Sequence, residues 1–401
     1  MEQKKPNCRR EGPQRPDPSS GQAIVAMIIP FFIMNRGCPH RCLFCNEKLT
    51  AGNRPDRIEA QAFHQTVQAS LASKRRRRGP VQIAFYGGTF TGMSNVEQFR
   101  LLDLAAPYLA SGEVEGIRIS TRPDEIDREG IALLKARGVR TVELGAQSLD
   151  DAVLLRSGRG HGAADTLRAI ALLQAEGLET GLHLMAGLPG DSRAQFLQTI
   201  EKTIALRPAT VRLHPTVVLA DTPLAAEYRA ERYRPLSLDE AVDWCREALR
   251  KLTGAGIPVI RLGLQTTAEL ETPGAVVAGP FHPAFGSLVE AALFLEMAGA
   301  LLAAGAGMNA AEVQQPALFT VAPADLSGFQ GHCRENLVRL KNRFPAAEIR
   351  VVTDPVLPRR SLTLTTESGY WQTDWSGRIA ALSGEGLHAE GGRAKKEYLE
   401  D

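Results

Sequence analysis

The chain has 401 residues, 44% of them apolar and 23% charged, and a net charge of +2. That composition excludes a disordered or collagen-like chain, and the near-neutral balance singles out no class of partner. Six cysteines among 401 residues are too few for a disulfide framework and predict a reducing compartment, the cytoplasm.

In chain order, residues 1–22 are polar and Pro-rich and read as a disordered tail without the apolar core of a secretory signal. Ala23–Ile33 reads as a first strand, and Asp56–Ala72 has helical periodicity. Lys74–Arg78 is a run of five cations, either a solvated loop or a salt-sensitive phosphate contact. Strands then alternate with helices. The strands are Val81–Tyr86, Gly116–Ser120, Val139–Leu144, Leu178–Met185 and Thr210–Pro215, with Ile257–Leu262 as one further strand. The helices are Asn95–Leu109 (Asn95 as N-cap), Asp127–Arg137 (closed by Gly138), Ala163–Glu176, Ser192–Leu206 and Leu238–Leu252. Six strand–helix units in series predict an α/β fold with a parallel sheet, helices outside, curled into a barrel or part of one. In such folds chemistry gathers at the C-terminal ends of the strands. This unit covers 23–265. Residues 266–384 read as a small α+β appendage, with a helix at Ala284–Leu302, strands at Ala317–Val321, Glu348–Thr353 and Leu362–Thr366, and a helix at Cys333–Arg343. Glu290 and Glu296 interrupt the apolar stretch there, which predicts a packed helix and not a membrane segment. Residues 385–401 read as a flexible tail.

The first strand leads into Gly37-Cys38-Pro39-His40-Arg41-Cys42-Leu43-Phe44-Cys45, a CxxxCxxC spacing. Soft thiolates select zinc, copper(I) or iron–sulfur clusters. A structural zinc site wants four ligands, usually as two pairs, and Cys8, Cys245 and Cys333 are isolated from this loop and from each other. His40 reads as a loop spacer. Three thiolates suit a cluster held at three corners, with one iron left open. The spacing, with Phe44 before the last cysteine, resembles the cluster loop of the radical S-adenosylmethionine (SAM) superfamily. That resemblance implies a 4Fe-4S cluster on Cys38, Cys42 and Cys45 in a partial (β/α)6 barrel, with SAM chelating the open iron. It further implies an electron from a donor such as flavodoxin or ferredoxin, cleavage of SAM to a 5′-deoxyadenosyl radical, and hydrogen abstraction from a substrate.

The remaining motifs close the predicted strands. Gly87-Gly88-Thr89 lets backbone approach a ligand, and the resemblance implies contact with the SAM amino group. Ser120 and Arg122 end the third strand; Arg122 offers a fork for a carboxylate, or pairs with Asp124 or Glu125. Glu143 is a charge in an apolar strand and needs a partner, a ribose hydroxyl or an arginine; Gln147 and Ser148 follow it. Arg156, Arg159 and His161 suit an anionic substrate or the SAM carboxylate, unless His161 is an exposed helix-start residue. Met185 opens the turn Gly187-Leu188-Pro189-Gly190-Asp191, where Asp191 is a candidate helix cap. Arg212 and His214 lie on the sixth strand, Arg212 as a partner for Glu143 or for SAM.

Taken together, Gly87–Thr91, Glu143–Ser148, Arg159–His161, Gly187–Asp191 and His214–Val218 resemble the radical SAM core of the elongator catalytic subunit and its shorter bacterial relatives. That family adds an acetyl-derived group to wobble uridines of tRNA, which makes tRNA the first candidate substrate. No acetyl-CoA loop is recognisable after residue 265. Gly162 and His214 stand where the family's motifs have Thr and Tyr, so acetyl transfer is not carried over. Two other readings are a coproporphyrinogen-oxidase-like tetrapyrrole enzyme and a non-catalytic iron–sulfur or haem carrier.

Overall fold

A computed structural model describes residues 27–52, 54–55, 57–73, 79–305, 316–345, 347–367 and 369–382. The two tails, residues 23–26, Cys8 and the Lys74–Arg78 run lie outside the described residues.

Seven parallel strands form the main sheet. They are β1 (Met27–Phe32), β2 (Val81–Tyr86), β3 (Gly116–Thr121), β4 (Val139–Gln147), β5 (Glu179–Ala186), β6 (Thr210–Pro215) and β8 (Val259–Leu262), and they pair in that order. The pair β7 (Val218–Leu219) and β9 (Val276–Ala278) stands apart as a short antiparallel ladder. The further strand at Ile257–Leu262 is thus the seventh of the barrel, shortened to begin at Val259.

Strand alternation explains which chemistry goes where. Phe31, Ile83, Phe85, Ile119, Val142 and Leu144 are buried under the outer helices. The intervening positions carry Gln82, Tyr86, Arg118, Glu143, His183 and Arg212, which bond to one another on the other face. Arg212 Nη2 lies 2.8 Å from Tyr86 Oη although β2 and β6 are four strands apart. In a flat sheet that gap is roughly 19 Å. The contact therefore requires the sheet to curl into an open barrel with a polar interior.

Helix starts follow capping chemistry. Ser192 and Asp127 accept from Gln195 N and Gly130 N. At Asn95–Ala110 the N-cap is Ser94, which accepts from Glu97 N, and Asn95 is already inside the helix. Asp191 does not cap the next helix either; its carboxylate turns back to accept from Gly187 N and Ser192 N.

After β8 comes helix Phe285–Gly305. It is long and apolar enough to cross a membrane by length and composition, but Phe294, Met297, Leu301 and Leu302 are buried in the core shared with the second sheet. That sheet has five strands, β10 (Pro316–Val321), β11 (Glu348–Thr353), β12 (Ser361–Thr366), β13 (Gly369–Asp374) and β14 (Ile379–Leu382), ordered β11-β10-β12-β13-β14. Only β11 pairs parallel to its neighbour.

Candidate active site

The cysteine loop is laced to the turn after β2 by backbone. Asn35 N donates to Gly87 O at 2.6 Å, and Thr89 N donates to Arg36 O at 2.9 Å. Gly37 has a φ of +72°, and a Cβ there would lie 2.1 Å from Thr89 O. A Cβ on Gly88 would lie 2.6 Å from Arg36 O. Neither position accepts a side chain, so the glycines after β1 and β2 set how closely the two loops approach.

Within that frame Cys42 is buried, whereas Cys38 and Cys45 reach solvent at the barrel mouth. Arg159 Nη1 lies 2.9 Å from Cys42 Sγ, and its Nη2 donates to Gly145 O. Thr89 Oγ1 is 3.2 Å from Cys38 Sγ. The protein mass around the loop, and then the Glu47 carboxylate, push the Cys45 thiol up to about 12. Although Cys38 reaches solvent, the protein packed around it likewise raises its thiol, against the Thr89 hydrogen bond. Thiolates here need a positive partner, and a metal cluster supplies one. Among the described residues no three His, Cys, Asp or Glu side chains gather as around a single ion. Separate thiol donors beside bare glycine backbone fit a cluster held at several corners. His40 packs its ring against Gly160.

Leu43 and Phe44 pack against Val218, Leu224 and Tyr233. Leu224 N donates to Leu43 O at 2.9 Å, and Asn46 Nδ2 to Ala220 O at 2.8 Å. The segment after β6 thereby holds the far side of the loop.

Glu143 is fully buried and fully engaged. Its Oε1 receives Arg118 Nη1 at 2.7 Å, Arg212 Nη2 at 2.9 Å and Tyr86 Oη at 3.2 Å; its Oε2 is 2.5 Å from His183 Nε2. These partners outweigh burial and hold the carboxyl well below its usual range. The partner of Glu143 is an arginine pair with Tyr86 and His183, and both carboxylate oxygens are occupied. Arg118 and His183 were not singled out in the sequence, although each is a polar residue at an interior-facing position of an otherwise apolar strand.

Arg122 is turned away from open space. It clamps Asp124 at 2.9 and 2.8 Å and donates to Arg159 O at 2.6 Å, so it fixes the Arg159 loop. His161 is buried, not exposed: its side chain is 0% accessible, with Nδ1 4.0 Å from Asp124. Burial, then Arg159 and Arg122, push it down to about 4. Ser120 is half-buried in register with Glu143, and Met185 in register with His214. Gln147, the last residue of β4, takes a left-handed φ of +66° at an irregularity in its pairing with β5, where it stands opposite Leu184. The structure thus brings Gly87–Thr89 to Cys38, Arg159 to Cys42 and Arg212 to Glu143, and leaves Ser120, Gln147 and Met185 around the barrel interior.

The chain matches the radical SAM superfamily over residues 32–203 and the radical SAM C-terminal domain over residues 208–294. Protein YhcC of Escherichia coli K12 is 28% identical over 227 residues, 53% of this chain and 71% of YhcC. The tRNA uridine(34) acetyltransferase of Methanocaldococcus jannaschii is 31% identical over 262 residues, 56% of this chain. The chain spans about half the length of that enzyme, 48%. Among solved structures, Elp3 of Methanocaldococcus infernus, with residues 1–46 deleted, shares the fold at a TM-score of 0.52 and 21% identity, over 69% of this chain and 64% of that one.

Proposed function

This chain belongs to the radical SAM superfamily, an enzyme using a 4Fe-4S cluster and SAM, and from that premise we propose that it modifies a nucleoside of tRNA with Cys38, Cys42 and Cys45 as its cluster ligands. One observation supports the ligand assignment: the three thiols lie on one loop, laced to the turn after β2 at Gly37 and Gly88, positions that tolerate no Cβ. When bound, the cluster supplies the electron that opens SAM to a 5′-deoxyadenosyl radical. A one-electron donor of the flavodoxin or ferredoxin kind feeds it.

The chain's own residues do the positioning. Arg159 orients Cys42, and Arg122 holds the backbone of Arg159. Thr89 stands beside Cys38. Gly87 and Gly88, which present no side chain, are assigned to the SAM amino end. Ser120, Gln147 and Met185, near the C-terminal ends of β3, β4 and β5, complete the proposed SAM contacts. In this reading residues 23–265 are the catalytic unit and 266–384 a supporting one.

The tRNA assignment is supported by similarity to a tRNA uridine(34) acetyltransferase. Acetyl transfer is left out of the proposal, because Gly162 and His214 depart from the motifs that accompany it. Mass spectrometry of tRNA nucleosides from cells with and without the gene tests the substrate. The expected result is one nucleoside gained or lost; identical profiles would exclude tRNA.

A further inference from the structure

The last three barrel strands carry more positive charge into the interior than the interior neutralises. His183, Arg212 and Arg261 are register partners across β5, β6 and β8, so they stand side by side. His214 lies one interior position further along β6, its ring 6.2 Å from that of His183. Glu143 is the carboxylate bonded to this group, and Arg118 already shares it. Arg261 bonds instead to the neutral amide of Gln265 at 3.2 Å. Arg212 Nε and His214 Nδ1 are buried without a hydrogen-bond partner among the described residues. Burial, and then the neighbouring Arg212, hold Arg261 below the usual arginine range. A guanidinium stays charged at neutral pH all the same. Like charges side by side on neighbouring strands destabilise, and an unpaired buried donor adds its own cost.

We propose that Arg212, Arg261 and His214 form a subsite for an oxyanion, a carboxylate or phosphate group, that the substrate carries to the floor of the barrel. Two guanidinium forks on adjacent strands suit a multi-oxygen anion. The orphaned Nε, and Nδ1 in the tautomer that carries hydrogen there, are donors such a group would satisfy. The anion chemistry stands without the cluster; only the statement that the group is the substrate's rests on the SAM-enzyme reading. The competing source is the carboxylate of SAM itself. Position along the sheet does not separate the two sources, because the segment after β8 reaches back to the helix after the cysteine loop, where Thr267 Oγ1 donates to Leu49 O at 2.6 Å; the titration with SAM bound decides between them.

Phosphorus NMR titration of inorganic phosphate into the full chain, before cluster assembly, tests the site, with acetate titrated in parallel by carbon NMR. Saturable binding is expected, weakened about tenfold or more in Arg261→Gln and partly retained in Arg261→Lys. The tighter of the two probes names the group. Arg261→Gln should melt no lower than the parent, because it removes a repulsion; an arginine with a merely structural role would lower the melting temperature. Arg232→Gln, at a solvent-exposed pair with Glu227, should leave phosphate affinity unchanged. Equal phosphate and acetate affinity in the parent and Arg261→Gln would overturn the proposal. With cluster and SAM bound, phosphate should still bind as before; mutual exclusion would assign the anion to SAM and overturn the substrate subsite. Absence of 5′-deoxyadenosine formation would count against the radical SAM reading alone, since the phosphate titration does not depend on it.

Discussion

Strands β2 to β6 turn Gln82, Arg118, Glu143, His183 and Arg212 toward one another inside the barrel, whereas β10 and β12 turn Phe319, Val321, Leu362 and Leu364 into an apolar core with helix Phe285–Gly305. Both are sheets covered by helices. The first buries charges whose mutual pairing costs desolvation and specifies a site; the second buries area and specifies only a shape. That charge network lies mid-strand in the barrel interior, below the strand ends at which we propose the chemistry takes place.

The largest effect that can break this contrast is at the thiols. Cys38→Ala, Cys42→Ala or Cys45→Ala should each abolish the visible absorption of the reconstituted cluster, whereas Cys245→Ala, on the buried face of helix Leu238–Gly254, should keep it. A full cluster in all three loop variants would refute the assignment.

Next comes Glu143→Gln, which leaves Arg118 and Arg212 without their carboxylate. It should cost about 3–5 kcal/mol in urea unfolding. Phe319→Ala in the second sheet should cost a similar ~3–5 kcal/mol through a cavity, while the folded fraction keeps its cluster spectrum. Equal damage to the spectrum from both would erase the distinction between the regions.

These two substitutions also mark what could be read in the sequence. Every barrel strand was legible, because apolar runs bounded by Gly and Pro recur at even spacing, and the thiol loop was legible from spacing alone. Glu143 was recognisable as a charge needing a partner. Arg118, His183 and Arg261 were not, since one polar residue in a strand is unremarkable until six strands converge. Arg122 and His161 were ambiguous for the same reason: Arg122 meets the Arg159 backbone, and His161 meets Asp124, only in the folded chain. Strands β13 and β14 were missed: β13 (Gly369–Asp374) has only Tyr370 and Trp371 as apolar residues, and β14 (Ile379–Leu382) is four apolar residues without alternation.

A smaller effect follows from His161. The unfolded chain takes up its proton near pH ~6.5, the folded chain only at about 4. Stability from this group is therefore complete above the unfolded value and is lost as pH falls from there toward the folded one. Urea unfolding at stepped pH should show a slope of up to about 1.4 kcal/mol per pH unit from this group. His161→Gln should remove that share; an unchanged slope would place the titration elsewhere. The smallest effect belongs to the second region's surface. Val356→Thr, at a side chain 84% exposed, should change stability by less than about 0.5 kcal/mol, and a larger loss would mean that this face is covered.

The most direct measurement is electron paramagnetic resonance of the anaerobically reconstituted, reduced protein with and without SAM. A spectrum that changes when SAM is added is the result expected of a cluster with one corner open to it. Identical spectra under both conditions would contradict the account.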